Sequence, residues 1–268
     1  MSTMKGPRLR LVQSALRDGD VAGNLAKALT IIGAARGAAD LVVFSETYVS
    51  GFPTPADVAQ LAEPLDGPSV TAVRNAARDA GVAVAFGFAE RDGARFFNTA
   101  LLIDANGDVL LRYRKTHLYE SDLGVFEAGD AFPVCTWRGM QVGLLICFDL
   151  EFPETARALA HAGAELIVIL DGMMKPYGDV HRQMIPVRAL ENQLYVAMAN
   201  RVGAGDRYTF SGTSLAAAPD GTCVAVAPGD REALLDVMLD LAAVRDARAV
   251  FRYVDLASVP LGPVTRRN

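Results

Sequence analysis

The sequence is poor in nearly everything that marks a secreted, membrane-bound or nucleic-acid-binding chain. It holds 3 cysteines in 268 residues. An odd number with no Cys-x-x-Cys pair suits a reducing compartment rather than a disulfide framework, so a cytoplasmic protein is expected. No apolar run approaches the roughly 20 residues of a membrane span, and Gln13, Arg17 and Asp18 interrupt any signal-peptide core near the N-terminus. Basic charge is not in excess: 26 Lys and Arg stand against 31 Asp and Glu, a net charge of −5. That leaves no electrostatic footprint for nucleic acid. A glycine-rich phosphate loop is missing, and no metal-ligand spacing surrounds the 3 histidines. No cofactor and no metal are therefore expected. Nor does any proline- or serine-rich linker divide the chain, and residues 1–268 read as one domain.

What is present is apolar substance in short, regular pieces. A hydrophobic content of 51% argues for a compact globule with a large core. "RLRLVQSAL" reads as a first strand and the stretch from Val21 to Arg36 as a helix. "ADLVVFSE" is a nearly all-apolar strand of the kind buried on both faces. A helix over Ser69–Ala80, the strand "VAVAFGFAER" and a hairpin turning at Asn106-Gly107 follow. The second half offers the strand "MQVGLLIC", a helix over Glu154–Ala162, the strand "AELIVIL", a helix over Val180–Asn192 and the strand "LYVAMAN". A second hairpin turns at Asp220-Gly221. The segments "GAARGAADLVVFSE" and "LAHAGAELIVILDG" echo one another, as an internally duplicated α/β sandwich would require.

Three strand ends carry reactive groups. Glu46 lies past "LVVFS", Lys115 past "DVLLRYR" and Cys147 past "QVGLLI". In sheets flanked by helices, ligands bind beyond the carboxyl ends of strands. Each residue also has a plainer reading: an inert core cysteine, the end of a solvated basic strand beside Arg112 and Arg114, and a loop carboxylate. For Cys147 the following "FDLEFPETARAL" starts a helix at Pro153 with Glu154 in its first turn, and a helix start favours a thiolate. Taken together, the trio supplies what amide hydrolysis needs: a proton acceptor, a nucleophile and a fixed cation for the oxyanion. Cys135 and Cys223 lack this context.

The blocks "LVVFSETYVSGF", "YRKTHLY" and "GLLICFDLEFPETAR", in this order, resemble those of the nitrilase, or carbon–nitrogen hydrolase, superfamily. The resemblance spans from "RLRLVQSAL" to about Val254. It implies an α/β fold of the four-layer αββα type, commonly paired into a homodimer or higher oligomer, with residues 250–268 extending to the interface. It also implies Glu46 as general base, Lys115 as oxyanion stabiliser and Cys147 as nucleophile. Phe148, Tyr119 and Met173 are expected as oxyanion or substrate contacts. The family often adds a second carboxylate after the lysine; Glu120 and Glu127 are the candidates, and counting back from "VFEAGD" favours Glu120.

Within the superfamily, Cys147-Phe148-Asp149 departs from the Cys-Trp-Glu of nitrilases and resembles amidases. Glu151 stands where hydrolases of ω-amides carry arginine. "CFDLEFPE", "MMKPYG" and "VRALENQLYVAMANRVG" resemble amidases of small carboxamides, stereoselective ones included, with carbamoyl-amide hydrolases as near neighbours. "ILDGMMKPYG" departs from the pattern of those amidases, so the acyl group stays open. Arg188 and Glu191, one turn apart, read as a structural ion pair. His117, His161 and His181 are weighed because hydrolases that pair a cysteine with a histidine exist; His161 reads as a helix cap, and His117 as hydrogen-bonded scaffolding, with a place lining the pocket as the other reading. A family member that binds a metabolite without catalysis is the reading from another class.

Overall fold

The structure is a computed structural model that describes residues 6–257. Its first half comprises β1 (Arg8–Gln13), α1 (Val21–Ala34), β2 (Leu41–Val43), α2 (Val58–Leu61), α3 (Pro68–Ala80), β3 (Ala83–Asp92), β4 (Arg95–Ile103) and β5 (Val109–Arg114). Next come β6 (Val134–Trp137), β7 (Met140–Ile146), α4 (Pro153–His161), β8 (Leu166–Asp171), α5 (Gly178–Asn192) and β9 (Tyr195–Asn200). The chain closes with β10 (Val202–Ala204), β11 (Thr209–Ser211), β12 (Leu215–Ala217), β13 (Cys223–Val226), β14 (Ala233–Met238), α6 (Leu241–Val250) and α7 (Tyr253–Leu256). Two 3-10 turns, Glu120–Asp122 and Cys147–Glu151, follow β5 and β7.

Two six-stranded sheets, ordered β14-β1-β2-β3-β4-β5 and β13-β12-β9-β8-β7-β6, lie face to face, with β1 against β9, β3 against β8 and β4 against β7. The alternation of side chains assigns each strand residue to a layer. In β2, Leu41 and Val43 join the core between the sheets, while Val42 joins the one under α1 and α3 with Ile32, Val70 and Val73. Alanines 83, 85 and 100 on the inner face let the sheets approach closely. On the far side of the second sheet, Ala156 and Leu159 of α4 and Ile185 and Ala189 of α5 complete the fourth layer. The expected αββα sandwich is the architecture observed.

The echo noted in sequence has a topological counterpart. From β14 to β5 the neighbours are antiparallel, parallel, parallel, antiparallel and antiparallel. From β6 to β13 the same succession recurs. β2 and β8, the strands of the echoing segments, are therefore equivalent, and each delivers a carboxylate at its carboxyl end: Glu46 just beyond one and Asp171 at the tip of the other. The two ends meet, with the Glu46 N–H donating to the Asp171 carbonyl at 3.3 Å.

Candidate active site

Glu46 is held by a turn that β3 braces from beside it. A Cβ on Gly87 would lie 2.9 Å from both the Ser45 carbonyl oxygen and the Thr47 nitrogen, so only glycine lets β3 come this close. Thr47 itself takes a left-handed φ of +41°. The carboxylate is buried. Its Oε1 accepts from Lys115 Nζ and from Asn98 Nδ2 of β4, each at 2.7 Å, whereas its Oε2 has no hydrogen-bond partner. Burial pushes the Glu46 pKa up to about 7; Asp122 and Asp171 push the same way, and Lys115 opposes them.

Lys115 follows β5, and strand alternation separates it from its basic neighbours. Arg112 and Arg114 point to the opposite face, where both pair with Glu90. Lys115 turns inward, is 1% exposed, and donates to Glu46 Oε1 and to Asp122 Oδ2 at 2.7 Å each. Burial works against its charge, but Glu46, Asp122 and Cys147 outweigh it, so the ammonium is retained.

Cys147 ends β7 and opens the turn Cys147–Glu151 with a left-handed φ of +44°. The turn lies between it and α4, which starts only at Pro153. The cysteine is thus not at a helix N-terminus, and the expected dipole stabilisation of a thiolate does not operate. Burial raises the thiol pKa well above its ordinary value, as do the Glu46 and Asp171 carboxylates; Lys115 and the Gly172 N–H act in the other direction and lose. The resting group is a thiol that needs a base.

Asp149 fixes the cysteine turn to the lysine loop. Its fully buried carboxylate accepts from the Tyr113 hydroxyl at 2.7 Å, the Thr116 hydroxyl and the His117 N–H at 2.9 Å each, and the Ile146 N–H at 3.1 Å. His117 contacts Asp149 through Nδ1 at 3.1 Å and stacks on Phe152, the scaffolding place expected of it. Arg188 pairs with Glu191 at 3.0 Å and donates to the carbonyls of Leu150 and Glu151, again as scaffold.

The expected second carboxylate, Glu120, is not the one that pairs with Lys115. Glu120 and Glu127 are both exposed, and the carboxylate that reaches Lys115 is that of Asp122, 2% exposed and also capping the Tyr119 N–H at 3.0 Å. The 3-10 turn points residue 120 outward and residue 122 inward, over the buried Val125 and Phe126. That apolar pair, one turn on, is the signal in the sequence, and the acidic side chain facing it is an aspartate rather than a glutamate. Met173 and Tyr119 meet in one apolar cluster with Phe52, Val180, Tyr208 and Phe210, and Phe148 packs edge-on against Tyr119 at 5.5 Å. A cavity of about 540 Å³ lies elsewhere, among His161, Gln193, Arg248 and Arg252, and contains none of these residues. Among the described residues no cluster of His, Cys, Asp and Glu could hold a metal ion.

A buried thiol, a carboxylate with one unengaged oxygen and a fixed ammonium, gathered at strand ends of a double-sheet sandwich, form a set able to perform acyl transfer without a cofactor. A model of the carbon-nitrogen hydrolase family matches residues 8–249, and the chain belongs to that family. It is 48% identical over 248 residues to an (R)-stereoselective amidase of Pseudomonas sp., covering 92% of this chain and 90% of that protein. It is 36% identical over 219 residues to a nitrilase of Pyrococcus abyssi, covering 80% and 82%. The fold is similar to that of an amidase from Nesterenkonia sp. AN1 whose double variant was solved in complex with acrylamide. That match has a TM-score of 0.84 and 30% identity over 94% of this chain and 98% of the other.

Proposed function

We propose that this chain hydrolyses the C–N bond of a small linear carboxamide to a carboxylic acid and ammonia through a thioester at Cys147. The observation that carries the reading is the asymmetry of Glu46. One oxygen is occupied by Lys115 and Asn98, and the other is buried without a partner beside a thiol that needs deprotonating. In this reading Oε2 takes the Cys147 proton as the sulfur attacks the carbonyl carbon. Lys115, aided by the backbone N–H of Phe148, stabilises the oxyanion. Glu46 then returns the proton to the departing ammonia and activates the water that cleaves the thioester. Asp122 holds the ammonium together with Glu46, and Tyr119 and Met173 line the acyl site.

Amides are favoured over nitriles by Phe148-Asp149, which replaces Trp-Glu after the nucleophile, and by the amidases among the relatives. An N-carbamoyl amide is the alternative substrate. Residues 1–268 are read as one hydrolase domain acting as a cytoplasmic homodimer or larger assembly. No helix among the described residues is long and apolar enough to cross a membrane.

The test is a side-by-side assay of amides, carbamoyl amides and nitriles with wild type and Cys147→Ala. Wild type is expected to hydrolyse a carboxamide at least about tenfold faster than the matching nitrile, and Cys147→Ala to be inactive with its fold intact. Turnover retained in Cys147→Ala would end the nucleophile assignment; equal kcat/KM for amide and nitrile would end the choice of substrate class.

A further inference from the structure

Behind the nucleophile lies a second group of ionisable side chains that the proposed reaction does not use. His181, on the first turn of α5, is wholly buried. Its Nδ1 lies 3.1 and 3.0 Å from the two carboxylate oxygens of Asp171, which is also fully buried, and its Nε2 lies 3.3 Å from Glu151 Oε1. Asp171 stands one residue before Gly172, whose N–H donates to Asp171 Oδ1 at 2.9 Å and also favours a charge on Cys147. Gly172 is wedged in place: a Cβ there would sit 2.5 Å from Glu46 Oε2 and 2.4 Å from Phe52. Asp171 is therefore coupled both to the nucleophile and to the base.

Charge balance makes the coupling consequential. Around Cys147 stand four buried carboxylates, Glu46, Asp122, Asp149 and Asp171, against one buried ammonium, Lys115; Asp149 is held by the hydroxyls of Tyr113 and Thr116 and the N–H groups of His117 and Ile146. A thiolate would add a further negative charge. We propose that a protonated His181 is the counter-ion of Asp171 and thereby a positioning residue that sets how readily Cys147 gives up its proton to Glu46. The proposal rests on the reading of Cys147 as nucleophile and Glu46 as base. In the step concerned one proton moves from the sulfur to Glu46 Oε2, and His181 keeps its own.

The surroundings support the charged form. Burial disfavours it, but Asp171 and Glu151 outweigh burial and lift the His181 pKa to about 9. On α5 itself Asp179 and Arg182 are exposed and pair with each other at 3.9 Å, and Arg188 is engaged by the carbonyls of Leu150 and Glu151. The facing end of β9 offers the neutral Asn200. Two carboxylates from two different elements thus converge on one imidazole, and both of its ring nitrogens act as donors.

The test is the rate of Cys147 alkylation by iodoacetamide as a function of pH, with the modified residue located by peptide mass. His181→Asn keeps a donor toward Asp171 but removes the charge. It is expected to shift the rising limb of the profile upward by about one pH unit, an about tenfold loss of rate below the limb. Asp171→Asn, which removes the opposite charge, is expected to shift the limb downward. The double variant is expected to return to within about threefold of wild type, because a balanced pair has been removed. An equal loss at every pH in His181→Asn, left unrepaired in the double variant, would reduce His181 to a packing role and overturn the proposal. Should His181→Asn fail to fold, Asp171→Asn alone decides, and an upward shift there overturns it. Failure of Cys147 to react while the exposed Cys223 is alkylated would instead overturn the nucleophile reading, and this proposal with it.

Discussion

The two oxygens of Glu46 live in unlike surroundings, and the proposed chemistry turns on that difference. Because burial raises this carboxyl to about pH 7, it is protonated and unable to accept below that value and becomes a base above it. The kcat/KM of wild type is therefore expected to rise with pH through about 7. Glu46→Gln keeps the shape and Oε1 acceptance but cannot take a proton. Acylation is expected to slow by roughly 10²–10⁴-fold, the rising limb should vanish, and an acyl adduct on Cys147 should accumulate where deacylation suffers more. Intact-protein mass spectrometry and the pH profile check this together. A variant within a few-fold of wild type with an unchanged profile would show that Glu46 is only a structural carboxylate.

At the scale of elements, the site is a meeting of strand ends, and the ends were the most readable part of the sequence. Apolar runs such as "LVVF" and "GLLI" stop abruptly at a polar residue, so the strand exits and Glu46, Lys115 and Cys147 could be read directly. What could not be read was pairing through space. Asp122 reaches Lys115 through the geometry of a 3-10 turn, and Asp171 reaches His181 from another element. β14 escaped notice because an edge strand shows weak alternation: Leu234 and Met238 are exposed and Asp236 pairs across to Arg10 of β1. The bracing of the Glu46 turn by β3 gives an element-scale prediction. In Gly87→Ala the added methyl meets backbone on two sides, where nothing can rotate away. The variant is expected to lose roughly 10²-fold in kcat/KM, as a misplaced catalytic group does, at a stability cost of about 1–3 kcal/mol. Kinetics beside thermal unfolding check it; activity within twofold of wild type would show that the turn yields.

For the whole molecule, the end of α6 and the segment through α7 expose four large apolar side chains within seven residues. Val250 is 71% and Leu256 66% exposed, and Phe251 and Tyr253 stack on each other at 5.3 Å in the open. Such patches mark association surfaces. The interface expected over residues 250–268 includes these; residues 258–268 lie outside the described structure. Sedimentation is expected to give at least twice the 28.5 kDa chain, and Phe251→Glu with Leu256→Glu to give monomers. Wild-type chains that sediment as monomers at micromolar concentration would refute the assembly.

The left-handed backbone at Cys147 sets the needs of the chain against those of the proposed reaction. Any side chain there carries roughly 1–2 kcal/mol of steric cost that glycine would not. The position would suit glycine best if folding alone mattered. Elsewhere in a strand or helix glycine is the less stable substitute for alanine by about 0.5–1 kcal/mol. Here that order should vanish or reverse, with Cys147→Gly unfolding at a temperature no lower than Cys147→Ala, both proteins inactive. A clearly lower midpoint for the glycine variant would show that the turn around Cys147 relaxes once the sulfur is gone. If the midpoint holds, the fold keeps a permanent local tension for the sake of one sulfur atom, and stabilising this protein and preserving its reactivity are opposed aims at that residue.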